Sequence, residues 1–477
     1  MKTSLSLCCG LLVLGRVSGF LVGSSLTSQS LLHPRGRASN PPLCSSITSS
    51  TTEDDDEKDD NKAIAGATFS LVKAMVGSGV LSLPAGLAAV GDSPSLLWPA
   101  NVLLLVLGVL SAYTFSLYGR LTHETQASSL GDLWRKVYQT DESWLLSSAN
   151  LAFCVGCALS FTLVIADSLG LLASAAGCWF VSRPVLILGT TATVILPLCS
   201  LPSLKALEPF SILGVIGTLV STAFLAWRCP AIVPHSPYSN PAYLATLPAA
   251  PLFNTYNRVA TPAPLVLVAM ACVSLMAHFS APDFYNALNA HKKTHNKSVQ
   301  SYNQVTILGY LTTAILNALT LTCGFLTFGG ASLGVVLNNY AASDGGASLS
   351  RLLVTLSVMG GYPFVLNAAR SSAMDLAGGG PSDRGKQLWW TRLLVGLITG
   401  IALLVQDAGF VVSFNGALMG ASIIYIFPAL LFLKFTQGTK SWERVLNRCL
   451  VGFGGVAAAV GGVASIVNSY FPELLVL

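Results

Sequence analysis

The stretch that decides the fold is Ala63–Gly91, AIAGATFSLVKAMVGSGVLSLPAGLAAVG, which is long and apolar enough to cross a bilayer as a helix. Gly77-Ser78-Gly79 interrupts it in the middle, Lys73 lies about a turn earlier, and Pro84 follows. A membrane helix that breaks near the bilayer midplane frees backbone N–H and C=O groups, which must find partners in protein, ligand or water. The break therefore predicts a binding site rather than a simple membrane anchor.

The composition supports a membrane protein. Only 10% of the 477 residues are charged and 52% are hydrophobic, whereas about a quarter of the residues of a soluble domain are charged. Apolar runs of span length recur along the chain, which indicates a polytopic helical membrane protein. The formal charge of +5 is small and distributed over short loops, so no nucleic-acid surface is predicted. Cys178 and Cys229 fall at predicted outer helix ends, where an oxidising compartment would allow a disulfide.

The first sixty residues are interpreted as targeting sequence rather than fold. Residues 1–19 have the basic start, apolar run and small residues of a signal peptide, and residues 20–62 combine transit-peptide composition with the acidic segment Glu53–Asp60. The acidic segment is expected to be a disordered linker. The pair resembles the bipartite presequence of complex plastids, with Gly19-Phe20 at the junction, which predicts a plastid membrane. The alternative is a disordered cytosolic tail, with residence in the plasma membrane or vacuole.

Hydropathy predicts eleven transmembrane helices within a transporter-sized domain, residues 63–470. Lys and Arg concentrate in the loops on one side, which places the N-terminus on the cytosolic or stromal side. The predicted spans are residues 63–90, 95–118, 145–173, 184–201, 209–228, 263–285, 305–328, 351–376, 388–405, 408–433 and 446–469.

Span six carries a second interruption, at Ala277–Pro282, with Asp283 next. Two broken spans five positions apart predict a five-plus-five inverted repeat with a site between the broken helices. There, N–H groups of one half-helix bind an anionic group and free carbonyls bind a cation. The alternative is that Pro282 marks a helix end and that the glycines of span one only allow close packing.

These interruptions lie in segments that resemble the amino acid/auxin permease family of the amino acid–polyamine–organocation superfamily. The resemblance runs over most of Ala63–Tyr470, and no single motif decides it. Its seven segments follow the family order. They are residues 69–84, 161–172, 197–214, 276–289, 324–330, 362–372 and 409–433.

The resemblance implies a LeuT-like all-α fold with broken helices 1 and 6, and the transport of amino acids. The substrate carboxylate would meet the N–H groups of the first break, and its ammonium would meet carbonyls of that stretch and of span six. This division also follows from the dipoles of the half-helices. The predicted substrate-binding residues are Met75, Val76, Gly77, Ser78, Gly79, Phe161, Ser274, His278, Phe279 and Ser280.

Lys73 and Gly361 depart from the pattern of sodium-coupled relatives. Those relatives resemble one another in a polar, cation-coordinating residue at the first position and a Thr or Ser at the second. The departures predict that the Lys73 ammonium replaces sodium and that the coupling ion is H⁺. A lysine at a helix centre costs about 2.5–3.5 kcal/mol on insertion scales and needs a partner. Candidate partners are carbonyls near Met359–Gly361, or Asp167; the alternative is a lysine that snorkels to the inner boundary.

Other polar residues have two interpretations each. Asp167 is a gate or proton-relay candidate, or an interfacial residue facing water. Arg370 is an inner-gate candidate that could pair with Glu208 or Asp375, or a snorkelling residue at a helix end. His278 could line the site or satisfy freed carbonyls. The hydroxyls of Ser274 and Ser280 could contact ligand or bond back to their own helix.

The sequence thus predicts a proton-coupled, sodium-independent symporter of neutral amino acids that works by alternating access. The expected partners are an amino acid substrate and the lipid bilayer, with no nucleic acid, no cofactor and no metal; the oligomeric state is open. Two other functions use the same site, a membrane amino-acid sensor and a passive facilitator. An enzyme is not expected, because no nucleophile–base pair or phosphate loop is apparent in the sequence.

Overall fold

The computed structural model describes residues 49–475, apart from 141–142, 179, 202–207, 245–246, 248–250, 254–255, 291–294, 379–382 and 436–440. The described chain is almost entirely helical. Its main helices are α1 (Ser49–Met75), α2 (Ser78–Val90), α3 (Leu97–Thr125), α4 (Leu130–Tyr138), α5 (Trp144–Ala175), α6 (Arg183–Cys199), α7 (Glu208–Arg228), α8 (Pro264–Ser274), α9 (Ala281–Ala290), α10 (His295–Phe328), α11 (Gly345–Leu376), α12 (Arg384–Leu404), α13 (Ala408–Phe435) and α14 (Ser441–Tyr470).

Both predicted interruptions are present. Helices α1 and α2 meet at an angle of 47° across Val76 and Gly77. In span six, α8 ends at Ser274, and a short 3₁₀ helix, His278–Ser280, precedes α9. Residues 275–277 between them are not helical. The prediction that spans one and six are both broken is therefore confirmed.

Among the described residues, seven helices and the α8–α9 pair are long and apolar enough to cross a bilayer, and α1 with α2 would make a ninth span. Helix α6 and residues Gly214–Arg228 of α7 are shorter apolar helices at the positions predicted for spans four and five. The fold class, an all-helical polytopic membrane protein, is confirmed for the described residues. The count of eleven spans stays a prediction.

The acidic segment differs from its expectation. Helix α1 begins at Ser49, so Glu53–Asp60 is helical instead of a disordered linker. The physical reason is that propagating a helix adds one hydrogen bond per residue once the nucleus exists, and the apolar part of α1 supplies that nucleus. The signal-peptide segment and residues 20–48 lie outside the described residues.

The helices form two groups that enclose the breaks. In one group, α8 packs on α2, and α10 runs along α1, α2 and α3. In the other, α5 and α11 pack along each other, with α7 and α12 beside them. Helix α13 touches both groups, and α14 packs on α8 and α13. Gly324 of α10 makes room for the proline in α2, because a Cβ there would lie 2.6 Å from the Pro84 ring.

Exposed tryptophans mark the two predicted membrane boundaries. Trp98 begins α3 and Trp227 ends α7 on the outer side. On the inner side, exposed tryptophans begin α5, α12 and α14: Trp144, Trp389 and Trp442. Tryptophan is enriched at both interfaces of membrane proteins because its ring is amphipathic.

The two cysteines considered for a disulfide are separate free thiols. Cys178 is exposed beyond the end of α5, whereas Cys229 is fully buried beside α7. The structure therefore does not bear out a disulfide between them. Both lie near helix ends as predicted, but a sequence does not encode the distance between two helix ends.

Backbone contact between α13 and α8 depends on a single glycine. Gly416 begins a wide, π-helical turn, and a Cβ at this position would overlap the carbonyl oxygen of Ala269. We expect Gly416→Ala to lower the free energy of unfolding by about 1–3 kcal/mol, the range for overpacking. The measurement is thermal unfolding of the protein in detergent. Gly400→Ala on α12 is the control, because a Cβ there meets nothing within 4 Å; equal stability of the two variants would contradict the assignment.

Candidate functional site

The break between α1 and α2 presents unpaired backbone donors. Gly77 precedes α2 and supplies no side-chain cap, and the first turn of α2 contains no acidic residue. The first N–H groups of a helix have no partner within the helix, and the N-terminus carries a partial positive charge. The start of α2 can therefore bind a carboxylate without displacing an acidic side chain.

The backbone of α8 lies directly against this break. A Cβ on Gly79 would lie 2.9 Å from the backbone nitrogen of Ser274, so only glycine allows the two helices to approach this closely. Ser274 donates its hydroxyl to the carbonyl of Ala271 (3.0 Å) and accepts a bond from Asn317 Nδ2 (3.0 Å). The two broken spans therefore meet at the helix ends next to their non-helical segments, which brings Gly77, Gly79 and Ser274 into one region.

Phe161 of α5 forms one wall of this region. Its ring lies 3.4 Å from the position of a Cβ on Gly77 and 3.8 Å from that of a Cβ on Gly361. The ring therefore stands between the first break and α11. Beside it, Ser160 donates a hydrogen bond to the hydroxyl of Ser78 (2.8 Å), which joins α5 to the first residue of α2.

The remaining predicted residues of the first break are packed inside the protein. Met75 and Val76 are both buried. In span six, Phe279 faces α5, with its ring centroid 6.3 Å from that of Phe153. Ser280 donates its hydroxyl back to Ala277 (3.1 Å), the second of the two alternatives considered for it.

His278 points away from this region. Its ring is fully buried, with Nε2 3.1 Å from the Ser111 carbonyl and 3.0 Å from the Thr114 hydroxyl. Both partners belong to α3, and Tyr310 of α10 lies 3.5 Å from Nδ1. The side chain therefore connects the second break to α3 and α10, and its carbonyl partner belongs to the continuous helix α3 rather than to either break.

Lys73 lies two residues before the end of α1 and faces α7 and α11. Its Nζ is 5.2 Å from the centroid of the Phe364 ring, within cation–π range. Its Cε is 3.3 Å from the position of a Cβ on Gly214. The lysine therefore sits at the junction of span one with spans five and eight.

The carboxylate of Asp167 pairs with a residue other than Lys73. It accepts a hydrogen bond from Arg183 Nε at the start of α6 (3.0 Å). Arg183 also donates to the carbonyls of Val405 (3.2 Å) and Gln406 (3.1 Å). Asn338, in the loop after α10, lies 3.5 Å from the same carboxylate. Asp167 thus joins α5, α6, the α12–α13 turn and an outer loop, so the structure corrects its suggested pairing with Lys73.

A short helix in the outer loop after α10, Val336–Asn339, lies over the outer side of the site. It contacts α2, α5 and α11. The buried guanidinium of Arg351 donates to carbonyls at its C-terminal end, those of Leu337 (2.8 Å), Tyr340 (2.6 Å) and Ala341 (3.3 Å). Cations are favoured at a helix C-terminus. Arg351 therefore holds this short helix in place on the outer side of the site.

A salt bridge holds the neighbouring outer loop. Arg228 Nε lies 2.9 Å from the carboxylate of Asp344, and Tyr238 donates its hydroxyl to the same carboxylate at 3.2 Å. Burial, with Tyr243 and Asp344 as further causes, raises the pKa of Tyr238. Its hydroxyl therefore stays protonated and continues to donate to Asp344.

The guanidinium of Arg370 donates its hydrogen bonds to residues of α11 and α12, which belong to the same group of helices. It donates to Thr391 of α12 (3.1 Å) and to Asn367 (2.6 Å). Asp375 faces Gly131 of α4 instead, since a Cβ there would lie 2.9 Å from its Oδ2. The side chain of Glu208 lies outside the described part of the chain. The structure therefore replaces the suggested pairing of Arg370 with Asp375 by bonds to α12.

Comparison with known sequences agrees with this geometry. The sequence profile of the family described as "Transmembrane amino acid transporter protein" matches residues 61–467. The chain belongs to this family. The sodium-coupled neutral amino acid transporter 7 of Homo sapiens is 26% identical over 447 residues, covering 86% of this chain and 88% of that protein. Its Xenopus laevis counterpart is 25% identical over 410 residues, covering 80% and 84%.

Comparison with solved structures supports the fold. A crystal structure of MhsT in complex with L-phenylalanine covers 84% of this chain and 98% of its own, with a TM-score of 0.52 and 14% identity. The LeuT-like fold class is confirmed. The protein is thus an integral, multi-pass membrane protein of an amino acid transporter family.

Sequence reasoning missed two groups of polar residues. One is the hydroxyls of α7, among them Thr218, Ser221 and Thr222, which face the first span. Their spacing, at i, i+3 and i+4, places them on one face of a helix and is a detectable signal. The other is Arg351, the first residue of predicted span eight, whose guanidinium the structure buries against carbonyls of the outer loop.

The partly buried Asp167–Arg183 pair predicts measurable coupling. In a double-mutant cycle of Asp167→Asn and Arg183→Gln, we expect a coupling free energy of about 1 kcal/mol, within the range for residues in contact. The readout is thermal unfolding in detergent. The control cycle uses Asp132 and Lys136, which are also 3.0 Å apart but lie four residues apart on α4, with Lys136 exposed; there we expect about 0.3–0.5 kcal/mol. Equal coupling in both cycles would rule out a special role for the outer pair.

Proposed function

We propose that the protein is a secondary active transporter of neutral amino acids, driven by protons and independent of sodium, that works by alternating access. The observation that carries the proposal is the pair of broken helices meeting at Gly79 and Ser274, with free N–H groups at the start of α2. A substrate carboxylate binds there, and its ammonium binds carbonyls freed at the two breaks. The apolar ring of Phe161 beside the break favours a substrate whose side chain is uncharged.

Lys73 supports the proton part of the proposal. An ammonium on the inner half-helix supplies a positive charge where a bound metal cation would otherwise supply it, and unlike arginine a lysine exchanges its proton readily. The Phe364 ring accommodates the ammonium in its present position. Coupling then means that the lysine binds a proton in one orientation of the transporter and loses it in the other.

A sodium-coupled transporter is the second candidate. It is favoured by the printed names of the relatives, which are sodium-coupled neutral amino acid transporters. For this candidate, sodium and the Lys73 ammonium would have to be accommodated together near the first break. Two like charges at close range repel, which is the physical reason for ranking proton coupling first.

Uptake by proteoliposomes separates the candidates. A labelled mixture of neutral amino acids is presented under a pH gradient and, separately, under a sodium gradient. We expect uptake with the pH gradient alone, and a fall of about tenfold in Lys73→Asn, the size of an ordinary coupling free energy. Lys386→Asn, at an exposed lysine beginning α12, is the matched control and should transport normally. Sodium-driven uptake by the unmodified protein would overturn proton coupling and leave the family assignment intact.

A further inference from the structure

A small cavity lies on the α7 side of the first span, opposite Phe161. Hydroxyl-bearing side chains form much of its wall, and Gly77 and apolar side chains of α2 and α11 complete it. Those hydroxyl-bearing residues are Thr218, Ser221 and Thr222 of α7, Thr320 of α10 and Ser357 of α11. The cavity has room for about one water molecule. It adjoins the region between the two breaks at Gly77, which lines the cavity and also faces the Phe161 ring.

The hydroxyl oxygens of this wall can accept further hydrogen bonds. Thr218 donates to the carbonyl of Gly214 (3.2 Å) and Ser221 donates to that of Gly217 (2.7 Å), so both protons are used within α7. Thr222 and Thr320 share one hydrogen bond of 3.4 Å across the helices. The remaining oxygen lone pairs are available to a donor. A buried water needs two to four polar partners, and this wall supplies them.

Lys73 adjoins the cavity through Gly214. A Cβ on Gly214 would lie 2.8 Å from Ser357 Oγ and 3.3 Å from Lys73 Cε, so these two atoms lie within about 6 Å of each other. Ser357 lines the cavity, and one water spans a gap of this size by accepting from one group and donating to another. The glycine keeps the space between lysine and serine open.

Other ionisable groups lie on the helices that pack around α1. Asp283 of α9 is exposed, one turn after Phe279. On α10, Tyr310 donates its hydroxyl to the Leu275 carbonyl (3.2 Å). On α11, Arg370 binds Thr391, and on α7 the side chain of Glu208 lies outside the described residues. The uncharged hydroxyls of the cavity therefore provide a route by which a proton can reach Lys73 without passing these ionisable groups.

We propose that this cavity holds a water through which Lys73 exchanges its proton. The ammonium passes one proton to the water as the water passes one of its own protons on to bulk water, which reaches the cavity when the transporter opens; the lysine becomes a neutral amine, and the oxygens of Thr218 and Ser357 hold the water in place. Reprotonation is the reverse. The proposal rests on the proposed proton-coupled function, and it adds α7 hydroxyls to the coupling machinery.

Comparison of net uptake with exchange tests the proposal. Net proton-driven uptake requires Lys73 to release its proton, whereas exchange of labelled for unlabelled amino acid at equal pH returns the carrier with its proton bound. We expect Thr218→Val and Ser357→Ala to slow net uptake by about tenfold and to leave exchange within about twofold of the unmodified rate, because exchange at equal pH needs no release of the Lys73 proton. Thr218→Ser, which keeps the hydroxyl, should restore net uptake. Thr312→Val is the control, since its hydroxyl bonds on the exposed face of α10.

The possible results distinguish the cavity water from proton coupling itself. Slow net uptake with normal exchange, rescued in Thr218→Ser, supports the cavity water. Normal net uptake in both variants, or equal slowing of uptake and exchange, overturns it while proton coupling stands. Absence of proton-driven uptake in the unmodified protein, with exchange intact, overturns the proposed coupling and the cavity water together. Sodium-driven net uptake that depends on Ser357 would identify the cavity as a metal-cation site instead.

Discussion

The structure depends on the rule that backbone polar groups cannot remain unpaired in hydrocarbon. A continuous helix satisfies that rule internally, and a broken one does so only where protein surrounds the break. Here the two breaks lie against each other, with Gly79 of α2 touching the Ser274 backbone. Phe161 closes one side of the first break and the outer helix Val336–Asn339 covers it. The groups freed by both breaks are thereby kept away from lipid and available to a ligand.

Charged residues within the helices follow the same rule in two different ways. Arg183 and Arg351 use the fork of the guanidinium to bind several carbonyls at once, and Arg183 also pairs with Asp167. Such multidentate binding holds a loop or turn in one place. Lys73 carries a compact ammonium on a flexible chain, beside an aromatic ring and close to a hydroxyl-lined cavity. The arginines therefore serve as fixed joints, and the lysine is the cation suited to exchanging a proton.

Several features of the site were predictable because they depend on local sequence. Gly77 and the absence of an acid in the first turn of α2 are visible in the sequence, and so is the proline after His278. The partners of Asp167 and Arg370 were not predictable, since Arg183 and Thr391 lie on other helices. The acidic segment before the first span was expected to be disordered, and its helical structure follows from continuation of the neighbouring helix.

Local sequence is enough to tell which segments are apolar enough to enter the bilayer, where two of them break, and which family the residues resemble. The direction that each helix faces is visible only in the folded protein. The tertiary structure turned His278 toward α3 rather than the site, and it placed Gly214 and Ser357 close to Lys73. The physical reason is that lipid and the protein interior are both apolar. A membrane helix is therefore hydrophobic all round and carries little local information about its rotation.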